Sequence, residues 1–243
     1  MRQSDSLAIV LAAGKGTRMG QSIPKPLVLV NHKPIISWIV NSFSANNVDV
    51  VAVINPKSEN LFKPFNKMMK FVFQKEQNGT GHAVMQATDI ILKYKYVYVF
   101  VGDSPFIGSE VVSSMYHQHL DEDSDITILS SIFKGKKFPY ARVIRDKDAN
   151  IVKVVEEIDA NEQEVEIDEL FGSHYLFKSE VLFDYLFRLK KNNKTGEIYF
   201  TDILNELIAD NNKINSMVIA DWRKLVGLNT MEDVKWAESQ KII

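Results

Sequence analysis

Residues 7–20 read LAIVLAAGKGTRMG, in which a strand-length apolar run passes directly into a glycine-rich turn. Leu7–Ala12 is predicted as a buried strand, because a short continuous apolar run bounded by turn residues is typical of a strand inside a sheet. Ligands of open α/β sheets bind outside the carboxyl ends of the strands. A glycine turn at that end lets backbone N–H groups approach phosphates. The segment therefore predicts a phosphate-binding turn.

The spacing of the glycines separates this turn from two common phosphate-binding motifs. The pattern is G-x-G-x-x-x-G, which is neither the dinucleotide-binding fingerprint nor a P-loop ending in Gly-Lys-Ser/Thr. The turn instead carries Lys15 and Arg18, and Lys25 follows a few residues later. Three cations beside a glycine turn suit a triphosphate or a pyrophosphate, although an ordinary strand-to-helix turn with solvated basic residues fits the same pattern.

The rest of the chain alternates strand-length apolar runs with stretches of helical period, which indicates βαβ units and a mostly parallel sheet. Further strands are predicted at Val48–Ile54, Phe71–Phe73, Tyr96–Val101, Ile126–Phe133, Ala141–Arg145, Ile151–Glu157, Leu170–Phe177 and Ile214–Ala220. Helices are predicted at Ile35–Phe43, Gly81–Leu92, from Pro105 to about Leu120, at Ser179–Lys190, at Tyr199–Asp210 and from about Thr230. The strands after Asp121 are interpreted as the second half of the same sheet plus a covering layer. The predicted fold class is α/β, with a Rossmann-like, mixed but mostly parallel sheet flanked by helices in a single domain over residues 1–243.

Composition excludes several classes of function. The 243 residues include 29 Lys+Arg and 31 Asp+Glu, a net charge of −2, which removes the main electrostatic argument for binding nucleic acid. The absence of cysteine excludes disulfides, thiolate metal sites and cysteine nucleophiles. No apolar run reaches the roughly 20 residues of a membrane helix, and the amino terminus lacks the pattern of a signal peptide. We expect a cytoplasmic protein with no nucleic-acid or membrane partner.

Two more segments carry residues suited to nucleotide chemistry. Gln74 precedes the turn Gly79-Thr80-Gly81, and a side-chain amide beside free N–H donors suits the edge of a nucleobase. Asp103 follows a buried strand directly, where a carboxylate is a natural Mg²⁺ ligand for a phosphate substrate. Taken singly, each segment fits a simple helix cap as well.

Taken together, these segments resemble the nucleotide-sugar pyrophosphorylases. The resemblance is strongest to the uridylyltransferase half of the bacterial bifunctional N-acetylglucosamine-1-phosphate uridylyltransferases, and its motifs occur in family order over nearly the whole chain. The matching stretches are Leu11–Met19 with Pro24-Lys25, Glu76–Ala83, Gly102-Asp103-x-Pro105, Val155-Glu156-x-x-Asp159-Ala160, Gly196-Glu197-x-Tyr199-x-Thr201-Asp202 and Gly227-Leu228-Asn229. The resemblance implies a Mg²⁺-dependent enzyme that converts an NTP and a sugar 1-phosphate into an NDP-sugar and pyrophosphate.

The resemblance also implies roles for individual residues. Arg18 and Lys25 would stabilise the phosphates in the transition state, Lys15 would contact the departing pyrophosphate, and Asp103 with Asn229 would hold Mg²⁺. The nucleotide would be bound by Leu11, Ala12, Ala13, Gly14, Lys15, Gly16, Gln74, Gly79, Thr80 and Gly102, with Gln74, Gly79 and Thr80 reading uracil. The sugar would be bound by Val101, Ala141, Glu156, Phe171, Tyr199 and Thr201.

Three of the implied sugar contacts depart from the family pattern. Val101 stands where the family usually has Tyr, Ala141 where it has Gly, and Phe171 begins the segment that aligns with Asn-Thr-Gly. A site that loses hydrogen-bonding partners usually rejects the old ligand, because buried polar groups then go unpaired. We expect an intact nucleotide site and an acceptor preference that differs from N-acetylglucosamine 1-phosphate.

Two other functions stay open at this point. A cytidylyltransferase acting on an alditol phosphate or another small phosphate would use the same chemistry, although Gln74 favours UTP. A catalytically silent nucleotide sensor is the second alternative, although it need not retain Arg18, Lys25, Asp103 and Asn229 together. No hexapeptide repeat of the left-handed β-helix type occurs, so acetyl transfer and a trimer built on such a helix are not expected. The oligomeric state is left open.

Overall fold

A nine-stranded mixed sheet forms the centre of the structure, a computed structural model that describes residues 4–14, 16, 23–134 and 138–240. The strands are β1 (Ser6–Leu11), β2 (Leu29–Val30), β3 (Lys33–Pro34), β4 (Asp49–Ile54), β5 (Lys70–Phe73), β6 (Tyr96–Val101), β7 (Ile126–Ile132), β8 (Ala141–Arg145), β9 (Ile151–Val155), β10 (Glu169–Lys178) and β11 (Ile214–Val218). The helices are α1 (Ile35–Ser44), α2 (Glu59–Phe62), α3 (Thr80–Met85), α4 (Thr88–Ile91), α5 (Ser109–Asp121), α6 (Glu162–Val165), α7 (Ser179–Leu186), α8 (Asp202–Ala209) and α9 (Met231–Ser239). Short 3₁₀ turns cover Lys25–Leu27, Pro56–Ser58, Lys63–Phe65 and Trp222–Leu225.

The main path of the sheet runs β11-β7-β10-β6-β1-β4-β5. The pairs β1/β4, β1/β6, β4/β5 and β7/β11 are parallel, whereas β10 is antiparallel to both β6 and β7. The β8–β9 hairpin branches from β10, which it pairs at Leu170 and Phe171, and α8 packs on β9. The small β2–β3 ribbon is a separate sheet. The predicted class, a mixed but mostly parallel sheet flanked by helices, is confirmed.

The alternation of side chains along β1 divides the interior into two cores. Ala8 and Val10 join the core that α1, α5 and α9 cover, whereas Leu7 and Ile9 join the core beneath α3, α4, α7 and α8. All four side chains are fully buried. Burial of one large aliphatic side chain contributes about 1.5–3 kcal/mol, so β1 anchors both layers of helices at once.

The single helix predicted over Gly81–Leu92 is wrong, because the structure has two short helices there, α3 and α4. The side-chain amide of Gln86 donates to the carbonyl of His82 at 2.9 Å. The backbone N–H of Gln86 bonds Ala83 instead, and that of Ala87 bonds Val84. Each of these bonds spans three residues rather than four, which tightens the turn and ends α3.

Other predicted elements are present with shifted ends. The helix expected from Tyr199 begins at Asp202, and the helix expected to reach Lys190 ends at Leu186. The pattern did not predict α2, α6 or the β2–β3 ribbon, since each is too short to show a period.

The chain order places a crevice at the carboxyl ends of β1 and β6. After β1 the chain builds β4 and β5 on one side, and it then returns to build β6 on the other side. Leu11 and Val101, the last residues of β1 and β6, pair in register. Ligands of open α/β sheets bind at such a switch in strand order. Among the helices that the structure describes, none is long and apolar enough to cross a membrane.

Candidate active site

A cavity of about 360 Å³ opens where β1 and β6 end. Its lining brings together the turn after β1, the Gly79–Thr80 turn and the residues after β6, three segments singled out from the sequence. The lining residues are Leu11, Ala12, Ala13, Gly14, Lys25, Pro26, Gln74, Gln77, Gly79, Thr80, Ala83, Val101, Gly102, Asp103, Glu197 and Tyr199.

Three glycines predicted to bind the nucleotide have different physical roles, and Gly16 is not among the lining residues of either cavity. Gly16 has a φ of +60°, a conformation that side chains rarely adopt. Among the residues that the structure describes, a Cβ added to Gly14 would meet no atom within 4 Å. A Cβ at Gly102 would lie 2.6 Å from the Leu11 carbonyl, to which the Gly102 N–H donates at 3.0 Å. Gly102 thus lets the ends of β1 and β6 meet beside the cavity.

The Gly79 turn is held against the segment that leads into α8. Gly79 has a φ of +100°, and a Cβ there would overlap the backbone of Ile198. The Ile198 N–H donates to the Asn78 carbonyl, and the Gly81 N–H donates to the Ile198 carbonyl, both at 2.8 Å. These bonds hold one wall of the cavity in place, and only glycine fits at the point of contact.

Gln74 is buried, and its amide nitrogen is already engaged. The nitrogen donates to the Gly79 carbonyl at 3.1 Å and contacts His82 Nδ1 at 3.1 Å. The amide oxygen is therefore the polar atom that Gln74 can offer to a ligand. Across the cavity, the side-chain amide of Gln77 donates to the Ala13 carbonyl and joins two walls. Gln77 lies in the segment singled out from the sequence, but nothing there distinguished its role.

Lys25 connects the two residues expected to bind Mg²⁺. Its ammonium donates to Asp103 Oδ2 at 2.7 Å and to Asn229 Oδ1 at 2.8 Å. The side chains of Lys25 and Asp103 are only 18% and 21% exposed. The Leu228 N–H donates to the Asp103 carbonyl at 2.9 Å, which holds the Asn229 loop against the end of β6. Residues more than a hundred positions apart thus converge on one positive charge.

The oxygens of Asp103 and Asn229 suit Mg²⁺ in kind and in position. Carboxylate and amide oxygens are ligands of this hard cation, and the pair already surrounds the Lys25 ammonium. Within the described ranges, no group of three or more His, Asp and Glu side chains could hold a metal. A site with two protein ligands agrees with the usual coordination of Mg²⁺, which keeps several waters and binds substrate phosphates.

A second cavity, of about 170 Å³, adjoins the first and shares Val101 and Asp103 with it. Asn229, predicted to bind the metal, and Ala141, Glu156 and Phe171, predicted to bind the sugar, all contribute to this second lining. The remaining lining residues are Ser104, Pro139, Tyr140, Gly172, Ser173, Leu225 and Gly227.

Glu156 brings a partly buried carboxylate to this second cavity. Burial raises the pKa of Glu156, although the Thr201 hydroxyl, which donates to its Oε1 at 2.5 Å, lowers it. Thr201 also bonds the hydroxyl of the fully buried Tyr175, at 3.2 Å. The Glu156 carboxylate is thus held in place by the hydroxyl groups of Thr201 and Tyr175, which are hydrogen-bonded in series. The spacing of these residues in the sequence did not predict this arrangement.

Several predicted residues occupy places that differ from the expected ones. Tyr199, expected at the sugar, lines the first cavity, and Thr201 acts through Glu156 rather than lining either cavity. The Phe171 ring is 1% exposed and packs edge-on against Tyr175, so it forms an apolar wall. Lys15 and Arg18 lie outside the described residues.

Residues 8–199 match the family model of the MobA-like NTP transferase domain. The chain belongs to that family. The resemblance to nucleotide-sugar nucleotidyltransferases is thereby confirmed, and the transferase class of enzyme with it.

Relatives of this NTP transferase extend the likeness over the rest of the chain. It is 34% identical over 96% of its length to the bifunctional protein GlmU of Caldanaerobacter subterraneus subsp. tengcongensis, and 36% identical over 96% to that of Streptococcus pyogenes serotype M3. These matches cover 50% and 51% of the two relatives, so the chain spans about half the length of the curated relatives it matches.

Two solved structures share the fold at low sequence identity. One is a UDP-glucose pyrophosphorylase complexed with UDP-glucose, with a TM-score of 0.75, 17% identity and coverage of 96% of this chain and 97% of that one. The other is a putative glucose-1-phosphate thymidylyltransferase from Bacillus anthracis, with a TM-score of 0.78, 17% identity and coverage of 96% and 94%. At such identity the likeness concerns the fold.

Proposed function

We propose that this NTP transferase moves a uridylyl group from UTP to a sugar 1-phosphate, giving a UDP-sugar and pyrophosphate. The observation that carries the proposal is the junction of the two cavities at Asp103, where Lys25 and Asn229 also meet. One cavity would hold the nucleotide and the other the acceptor, with their phosphates side by side at the junction. These substrates are metabolites of the cytoplasm, where we expect the protein to act.

The amide of Gln74 supports uracil over cytosine. Its nitrogen is engaged by Gly79 and His82, so its oxygen is the group available to a base. Uracil and thymine carry a hydrogen on ring nitrogen N3 and can donate it to that oxygen, whereas cytosine has only a lone pair there. A base with a lone pair facing a carbonyl oxygen would be repelled, which favours UTP over CTP.

Transfer would proceed by in-line attack of the acceptor phosphate oxygen on the α-phosphorus, with pyrophosphate leaving. Such reactions depend mainly on positioning and charge stabilisation. With three N–H donors, Lys25 can keep a bond to Asp103 while it donates to a phosphate oxygen, and Arg18 would add a second cation. Mg²⁺ held by Asp103 and Asn229 would polarise the phosphate oxygens and offset their negative charge.

The acceptor would be N-acetylglucosamine 1-phosphate or a related sugar 1-phosphate. Glu156 can accept hydrogen bonds from sugar hydroxyls, but Val101, Ala141 and Phe171 present apolar walls to the same cavity. A hydroxyl or amide facing those walls would lose its partner, which costs about 1–3 kcal/mol for a buried group. We therefore expect a sugar other than N-acetylglucosamine to be preferred.

The test is pyrophosphate release with Mg²⁺, pairing UTP, dTTP, CTP, ATP and GTP with a panel of sugar 1-phosphates. We expect release with UTP and at least one sugar 1-phosphate, and loss of Mg²⁺-dependent turnover in folded Asp103→Ala. The best rate with N-acetylglucosamine 1-phosphate would contradict the expected acceptor shift alone. A preference for CTP with a non-sugar phosphate would contradict the proposed substrates, and release from no pair would contradict the proposed reaction.

A further inference from the structure

The loop that carries Asn229 lies against Asp103 with no spare room. A Cβ added to Gly227 would stand 2.9 Å from Asp103 Oδ1, closer than real Cβ contacts come. The side-chain nitrogen of Asn229 donates to the Gly227 carbonyl at 3.1 Å. The backbone of Asn229 is anchored by its own N–H, which donates to Asp233 Oδ2 at 2.7 Å, whereas its side chain is oriented by the backbone of Gly227.

The hydroxyl of Tyr140 holds that backbone from the opposite side. The Gly227 N–H donates to Tyr140 Oη at 2.9 Å, across 87 positions of sequence. Burial, together with the nearby negative charge of Asp103, raises the pKa of Tyr140, so its hydroxyl stays protonated and neutral. Tyr140 itself lines the second cavity, directly before Ala141.

Tyr140 is in turn fixed by its own surroundings. Its ring stacks on Phe138 at a centroid distance of 5.4 Å and meets Phe133 edge-on at 5.8 Å. The guanidinium of Arg142, whose side chain is 3% exposed, donates to the Tyr140 carbonyl and to the Phe138 carbonyl. The Tyr140 hydroxyl is thus a rigid acceptor rather than a mobile surface group.

We propose that Tyr140 is a positioning residue that places Asn229 for the divalent cation, so that a wall of the acceptor cavity and the cation site form one unit. The inference rests on the proposed function for the role of the cation. The Tyr140 hydroxyl does not touch the cation, and it acts through Gly227 and the loop to Asn229.

The direct test measures Mn²⁺ binding by electron paramagnetic resonance, with saturating UTP and no acceptor, for wild type and Tyr140→Phe. The variant keeps the ring and deletes the acceptor of the Gly227 N–H. One net hydrogen bond corresponds to a factor of about 2 to 12 in an equilibrium constant, so we expect Mn²⁺ affinity to fall by that factor. Tyr98→Phe is the matched control, because its hydroxyl donates to the Val112 carbonyl in the core at 3.2 Å.

A double-mutant cycle separates positioning from general damage to the structure. If Tyr140 acts through Asn229, Tyr140→Phe changes Mn²⁺ affinity in wild type but adds nothing in the Asn229→Ala background. An equal loss in both backgrounds, no loss in either, or the same loss in Tyr98→Phe would overturn the inference. Turnover measured on the same samples separates the two proposals, because wild-type protein that binds Mn²⁺ through Asn229 yet transfers no nucleotide contradicts the proposed function alone.

Discussion

At the scale of single residues, the described charges at the junction of the two cavities, Lys25 and Asp103, form an ion pair. The Lys25 ammonium lies between Asp103 and Asn229, so neither carboxylate nor ammonium is left unpaired in a half-buried position. A phosphate that binds at the junction brings negative charge. Lys25 can donate a hydrogen bond to it and still keep its bond to the Asp103 carboxylate. The arrangement is ready for an anionic substrate before that substrate binds.

Replacing Lys25 by Ala should reduce the rate of transfer by a factor of about 10²–10³, which is the cost of losing one donor to a developing charge. The measurement is kcat/KM for pyrophosphate release at saturating Mg²⁺. Lys93→Ala is the control, because Lys93 is exposed and precedes β6 at the edge opposite the site. An unchanged rate in Lys25→Ala would remove this residue from the mechanism.

Glu156 should make acceptor binding depend on pH. Because burial raises its pKa, Glu156 takes up a proton at a higher pH than an ordinary glutamate, and it then accepts fewer hydrogen bonds. We expect the KM for the acceptor to rise as the pH falls through that raised pKa, while the KM for UTP stays constant. Thr201 and Arg142 lower the pKa of Glu156, whereas Asp202 and Asp159 raise it.

Glu156→Gln separates this effect from titration of the acceptor phosphate. The variant should have a high acceptor KM at every pH, with a flatter pH profile than wild type. Identical pH profiles for the two proteins would show that Glu156 does not face the acceptor.

At the scale of elements, the turn before α3 shows how the backbone conformation serves the site. Gly79 adopts φ +100° and ψ 176°, a region that is essentially restricted to glycine, and it lies against Ile198. Gly14 borders the same cavity, but a Cβ there would meet no atom within 4 Å among the described parts of the chain. Substitution by Ala should therefore change the free energy of unfolding by different amounts at the two glycines.

Gly79→Ala should lower the free energy of unfolding by at least about 1–3 kcal/mol, from backbone strain alone, and should raise the KM for UTP. Gly14→Ala should change the free energy of unfolding by less than about 0.5 kcal/mol, yet raise the KM for UTP because its methyl group enters the nucleotide space. Urea titration and steady-state kinetics on both variants test the pair. Equal stabilities would mean that the contact between Gly79 and Ile198 is not as tight as described.

The elements that could be predicted from the sequence are those whose pattern of apolar residues lies within one continuous segment. The continuous apolar run Tyr96–Val101 predicted β6, because a strand buried on both faces is apolar throughout. The helical spacing of apolar residues over Ile35–Phe43 predicted α1, because a helix buried along one stripe has apolar residues at a regular period. The break between α3 and α4 was not predicted; it is marked by the backbone N–H of Gln86, which bonds the Ala83 carbonyl three residues earlier. No periodicity records such a bond.

At the scale of the whole molecule, the two cavities are assembled from segments far apart in sequence. The turns after β1 and β6 were predicted to form a site, because parallel strands end at the same edge of a sheet. Asn229 and Glu156 were expected there through family resemblance, and the contacts of Tyr140 with Gly227 and of Thr201 with Glu156 were not foreseen. Pairings between distant loops depend on tertiary packing, which a single sequence does not display.

The proposed function requires that the α-phosphate of UTP passes to an acceptor bound in the second cavity. The most direct measurement follows α-phosphorus-labelled UTP incubated with Mg²⁺ and a mixture of sugar 1-phosphates. We expect the label to move into a UDP-sugar that resists alkaline phosphatase, and we expect Asp103→Ala to abolish the transfer. Label that remains in UTP, or appears only in UMP, would contradict the proposed function.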